Sequence, residues 1–148
     1  MRTLIFGHVY VSGIYPDGAS ANPAQMARIK HAIGLHKTFI RPFLPTSRLY
    51  HHQPVLRGRE PSGWCAWEAV AADRARVAVA VFRLAGPADP EYRLRLRGVD
   101  VSRRYQVTFD NTGDTAEITG LALAQEGILV RLPRPLSSEL LLLTRLGL

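Results

Sequence analysis

Residues 76–84 read RVAVAVFRL, and residues 92–97 read YRLRLR. In the first stretch, valines alternate with alanines and a phenylalanine, so both faces of an extended chain would be apolar, as in a central strand. In the second stretch every other residue is an arginine, which indicates a strand with one buried and one solvated face. These two patterns predict an antiparallel β fold for this part of the chain.

The strand pattern continues on both sides of these stretches. Tyr105, Val107 and Phe109 repeat the period of two, and the segment 110–114 (DNTGD) that follows is typical of a hairpin turn. Further strands are predicted at residues 48–56, 64–70, 117–119, 127–132 and 139–143. Many short strands with regularly spaced turns predict a β-sandwich.

The N-terminal part follows a different pattern. Residues 4–11 form a nearly continuous apolar run, which predicts a buried strand of the parallel type. After a loop, Asn22 and Pro23 are typical of a helix start, and apolar residues then recur at helical spacing: Met26, Ile29, Ile33 and Ile40. We therefore predict a mainly β protein with two domains, a strand-loop-helix unit at 1–46 and an antiparallel β-sandwich at 47–148.

One strand and one helix cannot bury their own apolar faces, so the first unit requires neighbours. Self-association through the helix face of Met26, Ile29 and Ile33 is one way to cover it.

The formal net charge of +7 arises before Glu60, where Asp17 is the only acidic residue. Because the basic residues there are scattered along the chain, we expect a solvated surface and no nucleic-acid partner. No apolar run is long enough to span a bilayer, so no membrane association is expected. Gly7 and His8 interrupt the apolar run of a signal peptide, which favours a cytoplasmic location over secretion.

No metal or cofactor is expected from the histidines or the single cysteine. His51 and His52 are adjacent in a predicted strand and point to opposite faces, and Cys65 has no second cysteine with which to form a site. The arginines of residues 93–97 are expected to form a solvated face, balanced by the nearby acids Asp89, Glu91 and Asp100.

Trp64 and Trp67 are the most prominent candidate binding residues. At a spacing of three they face opposite sides of a strand, so one can fill the core while the other serves as a sugar platform or a domain contact. The sequence contains no nucleophile motif and no phosphate-binding glycine loop.

Several segments, taken in order, resemble the C-terminal end of melibiase-type α-galactosidases, which are glycoside hydrolases. They are residues 6–8 (FGH), 33–42 (IGLHKTFIRP), 63–67 (GWCAW), 81–84 (VFRL), 94–100 (LRLRGVD), 105–108 (YQVT), 127–133 (GILVRLP) and 137–141 (SSELL).

The resemblance implies a (β/α)8 barrel followed by a C-terminal sandwich, with residues 4–11 as the last barrel strand and 22–41 as the last helix. The missing barrel portion then becomes the expected partner. Members of the family use two aspartates, a nucleophile and a general acid/base, and a retaining mechanism places two carboxylates about 5 Å apart. In the barrel-like part only Asp17 is present, so no catalytic residue is assigned.

The resemblance thus predicts a non-catalytic C-terminal portion that braces a catalytic barrel, with a role in carbohydrate metabolism in the parent enzyme. Whether it is a truncated gene product or one part of a split enzyme stays open. His8, Tyr15 and Asp17 could face substrate in an intact parent, with packing inside a loop as the alternative. The competing function is a free-standing carbohydrate-binding or interaction module that uses Trp64 or Trp67, with a galactoside as candidate ligand.

Overall fold

The structure, a computed structural model, describes residues 5–7, 22–52, 55–57, 60–85 and 89–147. The chain divides into two compact units, Met1–Pro45 and Thr46–Leu148.

In the first unit, helix α1 spans Pro23–Leu35 and continues as a π-helical turn over His36–Ile40. The Oδ1 atom of Asn22 accepts a hydrogen bond from the Ala24 N–H at 2.9 Å, and Pro23 is the first helical residue, so the predicted helix start is confirmed. The Arg41 N–H donates to the His36 carbonyl at 2.7 Å, which closes the wide turn.

The strand predicted at residues 4–11 does not form at 5–7, where the chain makes a turn. A parallel strand depends on hydrogen bonds to strands beside it, and the described part of the first unit contains no other strand. The other residues of that prediction lie outside the described residues.

The second unit contains ten strands and one short helix among its described residues. The strands are β1 Arg48–His52, β2 Val55–Arg57, β3 Glu60–Ser62, β4 Trp64–Val70, β5 Arg76–Arg83, β6 Glu91–Leu94, β7 Arg104–Phe109, β8 Thr115–Thr119, β9 Ile128–Arg131 and β10 Ser137–Arg145. A 3₁₀ turn, Leu44–Thr46, precedes them, and helix α2, Gly120–Gln125, lies between β8 and β9.

Six strands form one antiparallel sheet in the order β1-β4-β5-β10-β7-β8, and β2–β3 and β6–β9 form separate antiparallel pairs. The two central strands, β5 and β10, pair from Arg76 opposite Thr144 to Arg83 opposite Ser137. Residues 77–81 are fully buried, which confirms that β5 is central and covered on both faces.

The core lies between one face of this sheet and a second layer formed by β6, β9, α2 and the loop after β6. The sheet contributes mostly valines and leucines, including Val79, Val107 and Leu141, and the second layer contributes Leu94, Leu123, Ile128 and Val130. The guanidinium of Arg83 ties the layers together, because its Nη1 donates to the carbonyls of Leu132 and Pro133 at 2.7 and 2.8 Å. The predicted antiparallel sandwich is confirmed.

Two predicted elements differ in detail. The single strand predicted at 48–56 is two strands, β1 and β2, and α2 was not predicted. Helix α2 has six residues and starts with the Thr119 Oγ1 accepting from the Ala122 N–H. Among the described residues, no helix combines the length and the apolar character that crossing a membrane requires.

Candidate functional site

Three of the predicted site residues, His8, Tyr15 and Asp17, lie outside the described residues. Their substrate-facing role stays a prediction.

Trp64 and Trp67 lie on opposite faces of β4, as predicted. Trp64 faces the core and stacks on Tyr92, with ring centroids 5.2 Å apart and an interplanar angle of 13°. Its Nε1 donates to the Asp89 carbonyl at 3.1 Å. Trp67 lies on the outer face beside His51 and Phe82, with centroids 6.0 and 5.7 Å away.

Both tryptophans are partly exposed, and each already contacts other aromatic rings. Trp64 is held from two directions, by the stack and by its indole hydrogen bond, so its orientation is fixed. A sugar ring could use only the part of either indole that these neighbours leave open. Their role as platforms stays a prediction.

Beside the Trp64–Tyr92 pair, a buried carboxylate organises the loop after β6. The Glu68 side chain is fully buried and accepts hydrogen bonds from the N–H groups of Arg97, at 3.0 and 3.1 Å, and of Gly98, at 2.8 Å. The His52 Nε2 lies 3.0 Å from its Oε2. His51, the preceding residue, is exposed on the opposite face, so the prediction that these two histidines point apart is confirmed.

The second buried carboxylate, Glu139, is also occupied by backbone. Its Oε1 accepts from the N–H groups of Asn111 and Leu140, both at 2.9 Å. Glu68 and Glu139 are the only buried acids among the described residues. Because each of these two carboxylates orders backbone N–H groups, neither Glu68 nor Glu139 is free for the acid–base or nucleophilic role that a carboxylate has in glycoside hydrolysis.

The arginines at 93, 95 and 97 are exposed, while Leu94 and Leu96 between them are buried, which confirms the predicted two-faced pattern. The balance of their charge by Asp89, Glu91 and Asp100 stays a prediction. Each of those carboxylates directly contacts another group: Glu91 contacts Arg131 at 2.6 Å, Asp89 accepts from the Glu91 N–H at 2.9 Å, and Asp100 accepts from the Ser102 hydroxyl at 2.7 Å.

Partial burial raises the pKa of two titratable groups near the stacked rings of Trp64 and Tyr92. Burial raises the pKa of the Cys65 thiol, and a hydrogen bond with Trp67 opposes this shift. Burial also raises the pKa of Tyr92, with a smaller contribution in the same direction from Cys65. Both groups therefore hold their protons more firmly than free side chains, which makes neither a good nucleophile near neutral pH.

The chain was compared with protein families and solved structures. Residues 64–143, more than half of the 148-residue chain, match the model of the glycosyl hydrolase family 36 C-terminal domain. The chain belongs to glycosyl hydrolase family 36. This confirms the resemblance to α-galactosidases found in the sequence. No curated protein matches the chain.

Solved family 36 enzymes share this architecture. The chain superimposes on an α-galactosidase from Lactobacillus brevis with a TM-score of 0.68 and 19% identity, over 86% of this chain and 17% of that chain. It superimposes on a variant of the α-galactosidase AgaA from Geobacillus stearothermophilus, in complex with 1-deoxygalactonojirimycin, with a TM-score of 0.63 and 27% identity, over 88% of this chain. A second AgaA variant, in complex with stachyose, gives a TM-score of 0.62 and 26% identity over the same share.

The chain covers only 17% of the length of each of these α-galactosidases. The architecture that it shares with them is therefore a small part of a much larger enzyme.

Proposed function

We propose that this chain is the C-terminal, non-catalytic portion of an α-galactosidase-like glycoside hydrolase, and that its sandwich braces a catalytic barrel. The observation that carries the proposal is the family match over residues 64–143 together with the small share of the α-galactosidases that the chain covers. In this proposal the parent acts in carbohydrate metabolism in the cytoplasm, and another polypeptide region supplies the catalytic aspartates.

The incomplete burial of α1 supports a missing neighbour. None of its 13 residues is fully buried, and the apolar row of Met26, Ile29 and Ile33 along it is only partly covered. In a globular protein such a face normally packs against other elements. A concavity of about 650 Å³ in the first unit is lined by Ile33 of α1, by His36 of the π-helical turn and by other residues of this unit. The barrel portion is the partner that we propose for this face, with self-association as the alternative.

The described carboxylates fit a bracing role. Glu68 and Glu139 both hold loops of the sandwich in place through backbone N–H groups, so they contribute rigidity and not acid–base chemistry. In an intact parent, His8, Tyr15 and Asp17 would face the substrate from the end of the barrel.

A free-standing carbohydrate-binding module is the second candidate. The specific observation in its favour is the partly exposed stack of Trp64 on Tyr92, a rigid aromatic surface of the kind that binds the apolar face of a sugar ring. A binding module would bind a galactoside directly, whereas a chain that only braces a barrel would not.

Amide hydrogen exchange of the purified chain, with and without a saturating galactoside, tests the proposal. We expect fast exchange in α1, slow exchange in β5 and β10, and no change on adding the sugar, because the galactoside site belongs to the missing barrel. Slower exchange at residues 64–67 with the galactoside would overturn the bracing role in favour of the binding module.

A dye that fluoresces on apolar surfaces tests the partly exposed apolar face of α1 directly. Ile29→Ser and Ile33→Ser should lower dye binding strongly, since they remove the centre of the apolar row on α1. Leu121→Ser is the matched control, because Leu121 is an exposed apolar residue on α2. Equal loss of dye binding in the control would refute the proposed docking face.

A further inference from the structure

A groove beside strand β6 combines positive charge with an aromatic and apolar wall. It has a volume of about 420 Å³, and its lining includes His52, Tyr92, Arg93, Arg95 and Arg97. We call it the arginine groove. It lies wholly within the second unit, and the bracing function does not use it, although Tyr92 also belongs to the stack on which the second candidate function rests.

The arginines of the groove form no direct ion pair in the described part of the protein. No ion pair involves Arg93, Arg95 or Arg97 among the described residues, and the neighbouring acids contact other groups. The buried carboxylate of Glu68 accepts hydrogen bonds from the backbone N–H groups of Arg97 and Gly98 and forms no ion pair with an arginine side chain of the groove. Unpaired guanidinium groups that share one concave surface attract an anion.

Two residues of the arginine groove are held in place. The Glu68 carboxylate fixes the backbone of Arg97, and the Arg97 Nη1 makes a long hydrogen bond, 3.5 Å, to the His51 carbonyl. Tyr92 is fixed by its stack on Trp64. Binding therefore requires little ordering of Arg97 and Tyr92, and the ordering cost falls on the exposed side chains of Arg93 and Arg95.

The residues other than arginine that line the groove indicate which class of anion it binds. The partly exposed side chains of Tyr92 and Ala124 give the groove an aromatic and apolar wall beside the arginines. Inorganic anions have no apolar surface to place there, whereas a sugar ring has an apolar C–H face and hydroxyls that accept hydrogen bonds from guanidinium groups. Arginine pairs with carboxylates and sulfates through two parallel hydrogen bonds.

We propose that the arginine groove binds an acidic oligosaccharide, a short sugar chain that carries carboxylate or sulfate groups. The anionic groups pair with Arg93 and Arg95, and a sugar ring packs against Tyr92. This inference goes beyond the bracing function and does not depend on it, because the ligand is acidic and the groove lies in the sandwich.

The Trp67→Phe variant of the full chain gives a direct binding signal. It leaves Trp64, which stacks on Tyr92, as the only tryptophan. In this background, titration with tri-galacturonate or with a sulfated trisaccharide, followed by Trp64 fluorescence and by calorimetry, should show saturable binding that weakens with added salt. Maltotriose, a neutral sugar of the same length, should bind at least about tenfold more weakly.

Charge removal then locates the site. The double variant Arg93→Ala and Arg95→Ala should weaken binding of the acidic trisaccharide by at least about tenfold. The matched control, Arg28→Ala and Arg104→Ala, removes the same number of exposed arginines from α1 and β7 and should leave binding unchanged. Arg95→Lys keeps the charge but loses the planar fork, so it should give an intermediate affinity.

Binding by only the carboxylated or only the sulfated trisaccharide supports the proposal and identifies the source of the anion. Equal affinity for hexaglutamate, which carries carboxylates but no sugar, would overturn it in favour of an acidic peptide. Absence of binding by both acidic trisaccharides, or equal loss in the two double variants, would also overturn it.

Discussion

Replacing Glu68 by alanine removes the acceptor of three hydrogen-bond donors at once. The Arg97 and Gly98 N–H groups and the His52 imidazole all lie within about 3.1 Å of its carboxylate oxygens. A buried donor that loses its acceptor costs about 1–3 kcal/mol, so the two backbone groups alone account for about 2–6 kcal/mol. Water that enters the vacated space recovers part of this.

We therefore expect Glu68→Ala to lower the free energy of unfolding by about 3 kcal/mol, which for a chain of this size corresponds to a decrease in Tm of about 6–12 °C. The free energy of unfolding of Glu68→Gln should lie between that of Glu68→Ala and that of the unsubstituted protein. The glutamine amide keeps one acceptor oxygen, but its NH₂ group points at one of the same donors.

Urea unfolding followed by tryptophan fluorescence measures this loss in the sandwich alone, since both tryptophans, Trp64 and Trp67, lie on β4. Glu117→Ala is the matched control. Glu117 is exposed and pairs with Arg104 at 3.3 Å, so its loss should cost less than about 1 kcal/mol. If Glu68→Ala and Glu117→Ala differed by less than about 1 kcal/mol, the assignment of Glu68 as the organiser of the loop after β6 would be refuted.

Three further predictions concern other parts of the sandwich. A Cβ atom at Gly120 would lie 1.9 Å from the Asp100 carbonyl oxygen, so Gly120→Ala should destabilise the protein in urea by about 1–3 kcal/mol; Gly147→Ala, which meets no atom within 4 Å, should change it by less than about 0.5 kcal/mol. Hydrogen bonds from Ser102 lower the pKa of Asp100, so the ionised Asp100 carboxylate stabilises the fold above the ordinary aspartate pKa, and this stabilisation is lost as pH falls through the lower folded-state pKa. In a plot of the urea midpoint against pH, Asp100→Asn should therefore flatten the decrease at acid pH. An unchanged decrease would contradict the stabilising role of the Asp100 carboxylate. Because burial raises the pKa of Cys65, iodoacetamide at pH 8.5 should alkylate the folded protein more slowly than the urea-unfolded protein, and equal rates would contradict it.

The strands could be predicted where one face is buried and the other is solvated, because apolar and polar residues then alternate along the sequence. Residues 92–97 show that alternation directly, and the apolar run at 76–84 marked the central strand. Helix α2 was missed because a six-residue helix is too short to show a helical period, and its sequence, GLALAQ, also alternates like a strand. Within the strand predicted at 4–11, residues 5–7 form a turn, because a parallel strand depends on neighbouring strands that the described residues of the first unit do not supply.

The hydrogen-bond network around Glu68 could not be predicted from the sequence either. Glu68 follows Trp67 in an apolar strand, and nothing local shows that its partners are backbone groups 29 and 30 residues further along. The ion-pair partner of Glu91 could not be predicted for a related reason. Proximity in sequence placed Glu91 near Arg93, whereas the register of β6 with β9 sets Glu91 opposite Arg131. Cross-strand register decides such pairs, and register is a property of the fold.

The position of β10 has a consequence for how the protein is made. Among the described strands it comes last in sequence, yet it lies between β5 and β7 at the middle of the six-stranded sheet. During synthesis, β1, β4 and β5 can pair on one side and β7 and β8 on the other, but the two halves stay separate until residues 137–145 leave the ribosome. Until then the inner edges of β5 and β7 are unpaired, and unpaired strand edges promote aggregation. The nascent chain is therefore most in need of a chaperone just before β10 emerges.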